Sequence, residues 1–233
     1  MRRRFFFPPL WWPLLLILGV LLVLIFVFFS GAVLVAFGRL GLPPEVAFTL
    51  FVMALLGSFV NIPIAEEVSY EPVLRVREVG IFGFLYPMPY FYWEERKTII
   101  SVNVGGALVP LSIVLYEVSR LVVMGDYGLL ANIGAAVLLA SLLSHAVARP
   151  VPGLGVVMPT LFPPLIAVLL ALVFGDGNPT LVAYTSGTLG VLIGADLMNW
   201  NKIKKLGAPV VSIGGAGTFD GIFLAGIIAV LLV

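Results

Sequence analysis

Long uninterrupted apolar runs, broken by short polar or proline-rich intervals, dominate the chain. They cover 10–37, 44–64, 101–124, 128–148, 159–175, 179–199 and 212–233. A helix crossing the hydrocarbon core of a bilayer needs roughly 20 mostly apolar residues, so the pattern predicts about seven transmembrane helices. Pro43-Pro44 suits a helix start, where a missing N–H costs nothing. Gly125-Asp126-Tyr127-Gly128 and Gly175-Asp176-Gly177-Asn178 read as tight turns between neighbouring helices. The prolines at 150, 152, 159, 163 and 164 predict an irregular lead-in to the fifth run.

Residues 65–98 follow another rhythm. Val73-Leu74-Arg75-Val76-Arg77-Glu78-Val79 alternates apolar and polar, Tyr86-Pro87-Met88-Pro89-Tyr90 can turn the chain, and Lys97 to Val102 is extended in character. This predicts a β-hairpin. Its aromatic cluster of Phe82, Phe84, Tyr86, Tyr90, Phe91, Tyr92 and Trp93 suits the headgroup layer of a membrane. A strand edge there can also accept an extended peptide. The expected fold is an all-α polytopic membrane protein, a single transmembrane domain over 1–233. A small cytoplasmic β-hairpin is inserted at 65–98, between the second and third spans.

Composition agrees with lipid as the main solvent. The chain is 61% hydrophobic and 11% charged, where a soluble domain is about 25% charged. Its net charge of +1 gives no reason to expect nucleic acid. Cysteine is absent, which removes disulfides and thiolate chemistry, and glutamine is absent too. Depletion of labile side chains is a thermophile trait. Met1-Arg2-Arg3-Arg4 starts like a signal peptide, but the apolar run after it is far longer than a signal core and reads as a retained first span.

Charge also predicts orientation. With an inner N-terminus, only Arg39 and Arg120 among the 13 basic residues fall on the outer side. The rest fall in inner segments, as the positive-inside rule requires. A plasma-membrane protein with a cytoplasmic N-terminus and an external C-terminus is expected.

A short pattern occurs twice. Asn103-Val104-Gly105-Gly106-Ala107 opens the third run and Ser212-Ile213-Gly214-Gly215-Ala216 the seventh, each after a basic segment. Paired glycines weaken a helix unless the backbone unwinds or packs closely there. Unwound backbone is tolerated within a membrane only where protein or a wet cavity covers it.

Charged side chains at membrane depth are the first candidates for function. Asp196 lies in Gly194-Ala195-Asp196-Leu197, and Asp220 follows Gly214-Gly215-Ala216-Gly217-Thr218-Phe219. Both approach the membrane from the expected cytoplasmic side on consecutive helices, so they can meet. Two facing carboxylates at low dielectric share a proton. One then activates water while the other protonates a carbonyl or a leaving amine. Helix polarity makes Asp220 the ionised base and Asp196 the protonated acid. Gly194, Gly214, Gly215, Gly217, Gly105 and Gly106 shape the site, together with Asn61 and Asn103, which line the same inner cavity as the aspartates in this reading. The alternatives are structural capping by each aspartate or coupling to an ion or proton. Glu117 and Arg120, three apart, are expected to pair. His145 is expected to be structural. No His/Glu metal spacing, Gly-x-Ser-x-Gly elbow or Walker lysine is present, so no cofactor or metal is expected.

Two resemblances rest on these residues. Asn103 to Ala107, Arg149-Pro150-Val151-Pro152-Gly153, Gly187-Thr188-Leu189-Gly190, Gly194 to Leu197 and Ser212 to Phe223 resemble an uncharacterised prokaryotic membrane family, domain of unknown function 1614. That likeness implies membership and no activity. The layout is also similar to the intramembrane aspartyl proteases: presenilins, signal peptide peptidases and prepilin peptidases. In these, one Asp closes a helix and another follows Gly-x-Gly at the start of a later helix. Asp196 matches the first. Gly215-Ala216-Gly217 supplies Gly-x-Gly, but Asp220 comes three residues after it and the Pro-Ala-Leu motif is missing. The resemblance implies hydrolysis of a membrane-embedded peptide, with lipid as the other partner. A small secondary transporter with helices broken at Gly105-Gly106 and Gly214-Gly215 is the alternative, and a non-catalytic scaffold a third.

Overall fold

The computed structural model describes residues 11–81, 84–151, 155–203, 208–215 and 221–233. Helix α1 (Trp11–Arg39) and helix α2 (Pro44–Gly57) come first. Strands β1 (Asn61–Ile81) and β2 (Phe84–Asn103) follow, and a π-helical turn (Val104–Leu108) leads into α3 (Val109–Met124). After α4 (Tyr127–Val147) come the short strands β3 (Arg149–Val151) and β4 (Gly155–Val157), then α5 (Phe162–Phe174). Helix α6 (Pro179–Val191) runs on through a π-helical turn (Leu192–Asp196) and a 3-10 turn (Leu197–Asn199) into α7 (Trp200–Ile203). Strand β5 (Val210–Ile213) and helix α8 (Gly221–Leu232) complete the described chain.

This architecture corrects the expected all-α fold with about seven spans. Among the described residues, four helical stretches are long and apolar enough to cross a membrane: Trp11–Arg39, Val104–Met124, Tyr127–Val147 and Pro179–Ile203. Pro44–Gly57, Phe162–Phe174 and Gly221–Leu232 have 14, 13 and 12 residues. At 1.5 Å per residue each is about 18–21 Å long, short of a hydrocarbon core about 30 Å thick. Several of the apolar runs were read too long because part of them is strand or irregular lead-in. Residues 61–64 belong to β1, 101–103 to β2 and 212–213 to β5. Ahead of α5, Pro159 lies outside the helix and Pro163-Pro164 occupies its first turn. An orientation derived from seven crossings therefore loses that support.

The hairpin is also larger than expected. Strands β1 and β2 pair antiparallel from Asn61↔Asn103 to Ile81↔Phe84, with one bulge between Pro63 and Ala65. At about 3.3 Å per residue the ribbon reaches roughly 60 Å. Strand β5 adds to its root in parallel, Ile99↔Val210 to Val102↔Ile213, giving the order β1-β2-β5. Strands β3 and β4 form a separate two-stranded sheet where an irregular lead-in was expected.

Turn chemistry does match the sequence. Gly125 closes α3 at φ 74° and Asp126 caps α4 by accepting from Leu129 N–H at 3.1 Å. Asn178 caps α6 in the same way through Leu181 N–H at 3.1 Å. A side-chain oxygen at this position satisfies a donor that the first helical turn leaves orphaned.

Helix α6 is the centre of the bundle, packed against α4, α5 and α8. The helical stretch Pro179–Ile203 is mostly buried, whereas most of α1 is exposed. Helix α1 joins the body over its second half, through the Phe26 ring, whose centroid lies 6.5 Å from that of Phe51, and through the buried Val33, Ala36 and Phe37. One core cluster fills the helical body, and a second gathers Ile100, Ala148, Ala195, Ile203, Ile213 and Ile222. That second cluster ties the ribbon root, the end of α4, the turn before Asp196 and the start of α8 to one end of the molecule.

Candidate functional site

Asp196 ends the π-helical turn that follows α6 and is half-buried. The helical path continues to Ile203, so Asp196 is not at a helix C-terminus. This removes the dipole argument that made it the protonated acid. Asp196 lines a cleft of about 400 Å³ with Val156, Met158, Pro159, Thr160 and Gly221. The β3–β4 sheet and the start of α5 form one wall, and α6 and α8 the other. Gly221, at the head of α8, also comes within contact reach of Val191 on α6: a Cβ built there would lie 3.7 Å from Val191 Cγ1. Asp220 and Gly217 lie outside the described residues.

A polar knot holds the Asp196 turn in place. A Cβ on Gly194 would collide with the Ser141 carbonyl, so only glycine lets the turn lie this close to α4. Asn199 Nδ2 donates to the Ala195 carbonyl at 3.0 Å and the Gly194 carbonyl at 3.4 Å. His145 Nδ1 lies 3.2 Å from the Gly194 carbonyl and 3.2 Å from Asn199 Nδ2. A protonated Nδ1 donates to Gly194, and the other tautomer accepts from Asn199. Asn199 is 1% exposed, and its Oδ1 has no partner among the described residues. The role of Asn199 was not visible in the sequence beyond its closeness to Asp196.

Asn61, Asn103, Gly105 and Gly106 are not among the described residues that line this cleft. They form a second knot with Gly214 at the ribbon root. Asn103 Nδ2 donates to the Ser58 carbonyl at 2.6 Å and to Asn61 Oδ1 at 3.0 Å. Ser212 Oγ donates to the same Asn61 oxygen at 2.6 Å, and Gly106 N–H to Asn103 Oδ1 at 2.8 Å. The two Gly-Gly segments touch here. A Cβ on Gly106 would strike the Gly214 carbonyl, and Gly214 and Gly215 have φ of 85° and 89°. These bonds use the groups that face one another, so the knot acts as a joint between the ribbon, α3 and β5. Ser212 is the member that sequence reading missed.

At the opposite end, Glu117 Oε2 meets Arg120 at 3.5 Å, as its spacing predicts. Arg39 donates to the Val230 and Leu231 carbonyls at 3.0 and 3.2 Å, covering the C-terminal carbonyls of α8.

Helices of this length, with continuous apolar surface facing outward, define an integral membrane protein. The family model described as "Protein of unknown function (DUF1614)" matches residues 55–232, and the chain belongs to that family. The match spans both knots, the cleft and Asp220, and leaves α1 outside. No curated protein and no solved structure matches the chain.

Proposed function

We propose that the chain is an aspartyl-protease-like membrane hydrolase whose site is the cleft at Asp196, with Asp220 as the second carboxylate. One observation carries the reading. Asp196 faces a cleft of about 400 Å³ that is also lined by Gly221, the residue after Asp220 in the sequence. Asp220 directly precedes α8, whose N-terminal dipole favours an ionised carboxylate and hence the base. The base takes a proton from water as the water oxygen bonds to the peptide carbonyl carbon. The protonated partner donates to the carbonyl oxygen. Collapse then breaks the C–N bond, and a proton passes to the leaving amine.

The cleft belongs on the cytoplasmic side. The ribbon with Arg75 and Arg77, Arg149 and Lys202 are all attached at the Asp196 end, whereas Arg39 lies at the other end, against the end of α8. That asymmetry follows the positive-inside rule without any count of crossings.

The carrier reading draws on the π-helical turns and on the contact between Gly106 and Gly214. The bonded network at that contact favours a joint over an ion site, and we rank the carrier second.

The test is cleavage of single-span fluorogenic peptides in proteoliposomes, together with photolabelling by a hydroxyethylene peptide isostere. Asp196→Asn and Asp220→Asn should each lower cleavage at least about a thousandfold, because residues acting as one unit are lost together. Labelling should fall in both. Cleavage that survives either substitution, or no cleavage and no labelling in the parent chain, would sink the reading.

A further inference from the structure

The ribbon raises a physical problem of its own. Two strands alone are marginal in water, yet this pair extends far beyond its three-stranded root. Its register shows how its surfaces are used. Ile99 N–H points away from β1 and donates to the Pro209 carbonyl at 3.0 Å. Glu66↔Ile99 is therefore a pair that exchanges no hydrogen bonds, and every second pair outward belongs to the same class. Pro87 and Pro89, opposite Glu78 and Val76, fall in that class, and the backbone register gives Pro72 the same placement. Each proline thus puts its donorless nitrogen on an outer edge. Edge pairing with another strand is blocked where the ribbon is otherwise open.

The two faces differ in their balance of apolar and cationic side chains. Directly opposed residues share a face and alternate along each strand. One face of the distal half carries Leu74, Val76, Pro87, Pro89, Phe91 and Trp93, with Glu78 toward the tip. Leu74, Val76, Phe91 and Trp93 are 58%, 62%, 73% and 64% exposed. The other face carries Arg75, Arg77, Tyr86, Tyr90 and Tyr92 beside Val73, Val79 and Met88, with the Arg75 guanidinium 5.4 Å from the centre of the Tyr92 ring.

We infer that the distal half of the ribbon lies on the lipid surface, its Leu74–Val76–Phe91–Trp93 face inserted at the boundary of headgroups and acyl chains. Three arguments select lipid over a protein partner. The ribbon grows from the end of a membrane-crossing stretch, so the bilayer surface is continuous with its root. An insertion of about 5–10 Å places the opposite face at phosphate depth, where arginine and tyrosine are complementary to the lipid. A strip of four large side chains is also well short of the roughly 20–30 residues a side of a standard protein interface.

The absence of cysteine makes the test direct. Single Val76→Cys, Phe91→Cys, Arg77→Cys and Met88→Cys variants of the full chain would be nitroxide-labelled. Reconstitution would use vesicles of phosphatidylethanolamine and phosphatidylglycerol. Relaxation by oxygen, which partitions into lipid, is compared with relaxation by an aqueous nickel chelate. The oxygen-to-nickel ratio should be several-fold higher at 76 and 91 than at 77 and 88. Equal ratios on the two faces would overturn the proposal. So would labels at 76 and 91 shielded from both reagents, since a second copy or another protein would then cover the face.

Discussion

Single atoms set the tightest constraints in this molecule. Gly106 and Gly214 meet so closely that a methyl group has no space, whereas a Cβ on Gly134 meets nothing within 4 Å. Gly106→Ala should lower stability by about 1–3 kcal/mol through overpacking and backbone shift. Gly134→Ala, in the exposed part of α4, should be neutral or slightly stabilising. Reversible unfolding in mixed micelles would separate the two; equal effects would mean that the glycine contact is not formed. Asn103 makes the second case. Its amide serves Ser58, Asn61 and Gly106 at once and is 0% exposed. Asn103→Ala should cost about 1–3 kcal/mol, since it orphans buried groups. The paired glycines and the two asparagines stand out in the sequence, but their mutual contact does not. It joins residues far apart along the chain, and no local pattern encodes a partner.

Among the elements, strand and helix compete for the same apolar residues. Asn61 to Ile64 and Ser212-Ile213 adjoin apolar stretches, and a hydropathy reading assigns them to spans. In the structure they become strands because β2 supplies hydrogen-bond partners on both sides. The alternation of 73–79 was legible as extended chain because its period is local. The extension of pairing down to Asn61↔Asn103 was not. The outward-facing prolines lead to a prediction at this scale. Replacing Pro87 and Pro89 with threonine restores two edge donors and should raise self-association of the reconstituted chain, read by crosslinking yield against protein density. An unchanged yield would show that the edges are already covered.

Taken whole, the molecule is a bundle centred on α6 with α1 attached at one end. Phe37, at 0% exposure, meets the Phe223 ring edge-on with centroids 6.5 Å apart. Phe37→Ala should cost about 1–3 kcal/mol, because packing is lost while transfer from water is not at stake between lipid-embedded helices. Leu18→Ala and Leu22→Ala, on the outward-facing part of α1, should leave the unfolding midpoint unchanged. A matching loss at all three positions would mean that α1 packs along its whole length.

The residues alone settled the solvent and much of the punctuation. A chain 61% hydrophobic and 11% charged has too little polar surface for water, and glycine, aspartate and asparagine between apolar runs stop and cap helices through bonds to their immediate neighbours. Both are additive or local properties, so they survive without knowledge of the fold. The tertiary structure decided how far each helix runs before strand pairing takes its residues, which glycines touch, and that Asp196 shares a cleft with the head of α8. These depend on groups up to about a hundred residues away competing for the same backbone donors and the same space, and a linear reading contains no term for that competition.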